Sequence, residues 1–143
     1  MKLSIGSDHA GFNLKSRIIE YLESNKHIII DIGPKNNDRV DYPDYAHKLV
    51  NSILNKESEL GILICGSGNG ISMAANKHND IRAALCWNSE IAILAKKHND
   101  ANVLALPARF ISLEEAKNII DSFLSSTFEG GRHLNRVNKI NCE

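Results

Sequence analysis

The stretch from Leu60 to Lys77, LGILICGSGNGISMAANK, constrains this chain more than any other. Gly61 precedes the apolar run Ile62 to Cys65, and the turn Gly66-Ser67-Gly68-Asn69-Gly70 follows it. A short apolar run bounded by glycines reads as a buried parallel strand. Ile71, Ala74 and Ala75 then fall at helical spacing, so the turn opens a helix. A strand, a glycine turn and a helix start in that order crowd backbone N–H groups around one point, which suits an anion. Cys65 stands where the strand ends, beside the positive end of the helix, a setting in which reactive thiols are found. The stretch is equipped for chemistry as well as for binding.

The rest of the chain repeats the strand–helix pattern. Residues 2–6 and Ile28 to Ile32 read as strands, with a helix between them carrying Leu14, Ile18, Ile19 and Leu22 on one face. Gly33-Pro34 breaks the second strand, 35–39 is polar and exposed, and Pro43 suits the first turn of a helix carrying Ala46, Leu49, Val50 and Ile53. Arg82 to Cys86 is a fourth strand, Ser89 to about His98 a fourth helix, and Val103 to Leu106 a fifth strand. Ser112 and Glu115 match a capping box ahead of Ala116, Ile119, Ile120 and Phe123. Beyond Gly130-Gly131 runs a basic tail with Leu134, Val137 and Ile140 at helical spacing.

Five strands alternating with helices predict an α/β fold, a parallel sheet covered by helices on both faces. At 143 residues this is one domain, 1–143, with no linker or low-complexity tract. Ligands in such sheets bind beyond the carboxyl ends of the strands, where Asp8-His9, the Cys65 loop and the segment before the fifth strand are expected. Lys-His-Asn-Asp occurs at 77–80 and again at 97–100, which we read as coincidence, with His78 on the surface. Seventeen basic residues balance seventeen acidic ones, so charge offers no argument for nucleic acid or an anionic membrane. No apolar run reaches the roughly 20 residues of a membrane span. Cys65, Cys86 and Cys142 are widely spaced and the opening residues lack a long apolar stretch, so free thiols in a reducing cytoplasm are expected.

SDHAG at 7–11, VDYPDYA at 40–46, CGSGNG at 65–70, NKHNDIRAA at 76–84, HNDANVLALPARF at 98–110 and GRHLNRV at 131–137 occur in that order. Together they resemble the B-type ribose-5-phosphate isomerases and the related galactose-6-phosphate isomerase subunits. The resemblance spans essentially the whole chain. It implies a three-layer α/β/α sandwich with a Rossmann-like five-stranded sheet, and a homodimer or dimer of dimers with active sites between subunits. It also implies interconversion of aldose and ketose phosphates, in the pentose phosphate pathway, with no metal and no other cofactor. One departure is visible: Ser67 stands where the family often has threonine, which keeps the hydroxyl.

Isomerisation needs a base to move a proton between C1 and C2, and donors for the oxygen that becomes negative. Cys65 is the candidate base. An isolated cysteine at a strand end is most often a packed thiol, and Cys86 and Cys142 keep that reading. The N–H groups of Gly66, Ser67, Gly68, Asn69 and Gly70, with the Ser67 hydroxyl, face the enediolate, although alone the loop is equally a tight strand–helix turn. Arg132 and Arg136, four residues apart, share one helical side and suit phosphate, with Arg109 from the loop after the fifth strand and His133 adding contacts. A terminal run of charges is otherwise usually a solvated tail.

The resemblance implies the remaining roles. Asp8 binds sugar hydroxyls, His9 lies close to the sugar or its phosphate, and Asp41 and Tyr42 line the sugar's edge. His98 opens the furanose ring and Asn99 binds beside it, while the tail from about 131 reaches a partner subunit's site. Without the family, Asp8 reads as a helix cap and His98 as a histidine at a helix C-terminus. The leading reading is a ribose-5-phosphate isomerase. Its rival is a six-carbon substrate, allose 6-phosphate or galactose 6-phosphate. A noncatalytic sugar-phosphate-binding module is a third, disfavoured because binding requires neither Cys65 nor His98. A redox enzyme is more distant, for no resolving cysteine or dinucleotide fingerprint is present.

Overall fold

The computed structural model describes residues 1–142. Its elements follow in the order β1 (Lys2–Ser7), α1 (Phe12–Ser24), β2 (Ile28–Gly33), α2 (Tyr42–Leu54), β3 (Leu60–Cys65) and α3 (Asn69–Ala75). Then come β4 (Ala83–Leu85), α4 (Ser89–Asn99), β5 (Val103–Pro107), α5 (Leu113–Ser125) and α6 (Arg132–Val137). The strands form one parallel sheet in the order β2-β1-β3-β5-β4. Right-handed crossovers decide which face each helix covers. Steps toward β2 or back from β4 place α1 and α4 on one face, and the two opposite steps place α2 and α3 on the other.

The alternating side chains of β3 show both layers. Ile62 and Ile64 pack with Ile18 and Leu22 of α1, Ala92 and Ala95 of α4, and Ile119, Ile120 and Phe123 of α5. Leu63 and Cys65 point the opposite way, into Ala46, Leu49 and Val50 of α2 and Ile71 and Ala75 of α3. All of β3 is buried, as a strand covered on both faces requires. Ser112 caps α5, its hydroxyl accepting from the Glu115 N–H at 3.1 Å. Among the described residues no helix is long and apolar enough to cross a membrane.

Two expectations about the KHND copies are corrected. His78 is half-buried and shares a 2.8 Å hydrogen bond between its Nε2 and Nδ1 of His47 on α2. The copies also lie at comparable helix-to-strand passages: 77–80 follows α3 and 97–99 closes α4, and each copy ends on a left-handed aspartate, Asp80 (φ 66°) or Asp100 (φ 47°), shortly before neighbouring strands β4 and β5. Asn102 joins them, taking the Arg82 N–H on its Oδ1 at 2.8 Å and donating to the Asp80 carbonyl at 2.7 Å. The repeated tetrapeptide is a local device for turning from a helix into a strand.

Candidate active site

At the carboxyl edge, the chain leaves β1 and β3, which are neighbours, toward opposite faces of the sheet, opening a crevice between them. Asp8 is buried there, its N–H donating to the Ile64 carbonyl at 3.1 Å and its Oδ1 accepting from the Gly11 N–H at 3.0 Å. Its other carboxylate oxygen remains available. Gly11 is required by close approach, since a Cβ there would lie 2.6 Å from the Ile64 carbonyl oxygen.

Across the crevice the Gly68 N–H donates to Cys65 Sγ at 3.1 Å. A sulfur that already accepts an N–H is oriented to carry negative charge. Gly68 has φ 76°, and a side chain there would strike Leu85 and Leu106, so only glycine brings that N–H to the sulfur. The helix that the loop opens is seven residues long, so individual N–H groups of the turn, rather than a long helix dipole, provide the positive field. Burial pushes the Cys86 thiol up to about 12, which leaves it an inert core residue.

Neighbouring elements complete this edge. The Ala108 and Arg109 N–H groups donate to the carbonyls of Cys65 and Gly66 at 2.9 and 3.0 Å, and the Arg109 guanidinium lies over Gly66. The Tyr42 ring lies over Gly70. Asp41 holds the N-cap position of α2 but makes no capping bond, so its exposed carboxylate is free for a ligand. His9 Nδ1 sits 3.3 Å from the Val40 backbone, tying the loop before α2 to the end of β1. A cleft of about 590 Å³ continues past Arg39, Asp41, Asp44, Tyr45 and Lys48 and stops short of Cys65.

The remaining candidates lie elsewhere. His98 and Asn99 end α4, and α4 returns the chain to the start of β5, where Val103 pairs with Gly61 at the start of β3. At about 3.3 Å per residue, Gly61 and Cys65 are ~13 Å apart, and Cys65 faces α2 and α3 whereas α4 covers the other face. The segment before β5 is thus at the amino edge, not the carboxyl edge we expected, because a helix between parallel strands must carry the chain back. The tail joins it there: the Glu129 N–H donates to the Lys97 carbonyl at 3.0 Å, and Asn141 and Asp80 exchange hydrogen bonds of 3.0 and 2.8 Å. Arg132 and Arg136 are exposed at this edge.

His133 lies beside these arginines on α6. It is buried, its ring stacked on His98 with centroids 4.2 Å apart and planes at 14°. His98, Glu129 and His133 place potential metal-ligand atoms within 4.8 Å of one another. Imidazole lone pairs lie in the ring plane, however, and near-parallel stacked rings cannot converge on one ion. The set does not fit a metal as arranged.

Sequence reasoning missed Lys15. It is fully buried, its ammonium donating to Asp31 Oδ1 at 2.6 Å and to the Pro34 carbonyl at 2.9 Å, which anchors the loop leading to Asp41 and Tyr42. The signal was its position on the stripe Lys15, Ile18, Leu22, where a lysine breaks an apolar face.

Comparison with known proteins gives a consistent result. A family profile described as Ribose/Galactose Isomerase matches residues 3–140. Ribose-5-phosphate isomerase B of Escherichia coli is 45% identical over 139 residues, covering 97% of this chain and 93% of that one. The structure of ribose-5-phosphate isomerase B from Clostridium thermocellum superposes with a TM-score of 0.97 at 48% identity, covering 98% of this chain and 95% of that one. The Mycoplasma genitalium enzyme, solved with bound ribulose-5-phosphate, gives 0.93 at 44% identity, with coverages of 97% and 93%.

Proposed function

Because this chain belongs to the ribose/galactose isomerase family, we propose that it interconverts D-ribose 5-phosphate and D-ribulose 5-phosphate through an enediolate, at sites shared between two copies. The observation that carries the chemistry is the Gly68 N–H on Cys65 Sγ, inside a turn whose Ser67 hydroxyl is held by the Asn69 N–H at 3.3 Å. Ribose 5-phosphate enters mainly as a furanose. Its C1 hydroxyl loses a proton, the C1–O4 bond breaks, and its electron pair takes a proton from the His98 imidazolium on O4, leaving a C1 aldehyde. The Cys65 thiolate removes the C2 proton, the electrons pass to O1, and the turn stabilises that oxyanion. Transfer of the O2 proton to O1, and return of the carbon-bound proton from Cys65 to C1 as the C2–O2 carbonyl forms, completes the ketose. Base and oxyanion donors all come from the chain, so this route needs no metal.

Sharing of the site is supported by its division. Asp8, His9, Asp41, Tyr42, the 65–70 loop and Arg109 lie at one edge of the sheet, and His98, Asn99, Arg132 and Arg136 at the other. A second copy brings the two halves together. Leu134 and Ile140, 51% and 47% exposed, give the tail an apolar side to bury there.

The test is isomerisation of ribose 5-phosphate by EDTA-treated protein, with allose 6-phosphate and galactose 6-phosphate in parallel. Turnover of the pentose that survives EDTA is expected. Turnover of a hexose phosphate alone moves the substrate while keeping the chemistry, and binding without turnover leaves a noncatalytic module.

A further inference from the structure

A histidine that transfers protons needs a fixed ring plane, normally set by a carbonyl or carboxylate on its second nitrogen. Among the described residues, no hydrogen bond holds the His98 ring, and what touches its face is His133, at 4.2 Å and 14°. We propose that His133 is the positioning residue for His98: its buried ring, stacked beneath, holds the His98 imidazole in the plane from which it exchanges a proton with the sugar's ring oxygen. The inference rests on the ring-opening role assigned to His98 above.

The local chain is built to deliver that ring. The Glu129 N–H bonded to the Lys97 carbonyl pins the segment to the last turn of α4. Gly130 (φ 65°) and Gly131 (φ 54°) then reverse it through left-handed backbone, with open space where their side chains would be. Glycine is required here by conformation, not by crowding. The His133 N–H closes the turn on the Gly130 carbonyl at 3.0 Å, and α6 begins with the imidazole facing α4.

His133 presents its face rather than its nitrogen. Nε2 is buried with no hydrogen-bond partner, and the nearest carboxylate, Glu129 Oε2, stands 3.7 Å away, beyond hydrogen-bond reach. Burial first, then His98, Arg132 and Arg136, hold this imidazole below its usual range against the opposing pull of Glu129. A neutral ring under His98 accommodates the imidazolium, because a cation rests favourably on an aromatic face.

The experiment separates ring opening from proton transfer. Ribulose 5-phosphate is open-chain in water, since O5, the hydroxyl that could close a ring on its ketone, carries the phosphate. Exchange of its C1 hydrogen for solvent deuterium needs Cys65 but no ring step. In H133A, conversion of ribose 5-phosphate should fall about tenfold to a hundredfold, while deuterium exchange into ribulose 5-phosphate stays within about twofold of the native rate. H133F, which keeps an aromatic face and has no ring nitrogen, should restore most of the loss. Equal loss of both reactions, loss of neither, or a folded H133F as defective as H133A overturns the assignment. NMR gives a reading independent of activity: the His98 ring protons should be shifted upfield by the stacked ring and move downfield in H133A. Absence of that shift in the native protein overturns the stack. A native protein inactive in both assays refutes the function instead, while the NMR result still decides the placement.

Discussion

The two buried cysteines illustrate how far residue identity alone reaches. Cys65 and Cys86 are both buried, and each follows or ends a strand. Cys65 faces a glycine turn whose N–H meets its sulfur, whereas Cys86 lies among the apolar side chains of the α1/α4/α5 layer. The glycines around Cys65 made this difference legible in the sequence. Loss of a general base costs about 10²- to 10⁴-fold in rate. C65A should therefore lose kcat on that scale while sugar-phosphate affinity, measured calorimetrically, changes only a few-fold. A C65A protein turning over at the native rate removes the proton-transfer assignment. The stacking of His133 on His98 was less legible, because nothing in a histidine flanked by two arginines tells that α6 folds against α4.

Among the elements, α1 carries the least obvious functional link. Its stripe offers Ile18 and Leu22 to the core but also Lys15, whose ammonium reaches the loop after β2. The two halves of this ion pair are not equivalent. Lys15 is 1% exposed and Asp31 44% exposed at the side chain. Removing the carboxylate strands a buried cation on a single carbonyl, whereas removing the cation leaves a carboxylate in water. D31A should thus lower unfolding free energy by about 2–3 kcal/mol and K15M by about 1 kcal/mol in urea titrations, in the reverse of the order expected from exposure alone. K15M should also raise KM more than it lowers kcat, since the loop it frees carries Asp41 and Tyr42. Periodicity placed α1 correctly, but the partner of a buried lysine is a long-range fact that periodicity does not contain.

At the scale of the whole molecule, the two groups of candidate residues lie at opposite edges of one sheet. If a twofold pair shares its sites, Cys65 of one copy works with His98 of the other. C65A and H98A proteins, each inactive in the ring-starting direction, should regain roughly a quarter of native activity when mixed and exchanged to equilibrium, because half the pairs are mixed and each holds one intact site. No recovery, with subunit exchange verified by mass, places both residues in a site of one chain. The sequence by itself determined the alternation of strands and helices, the glycine turn with its cysteine and the family resemblance. These are properties of neighbouring residues: period, breaker positions and motif spacing. The strand order β2-β1-β3-β5-β4, the return of α4 to the amino edge, the stacking of His133 on His98 and the anchoring of the loop before α2 by Lys15 were decided only by tertiary structure. Each depends on which distant segments a crossover brings together, and local propensity carries no record of that choice.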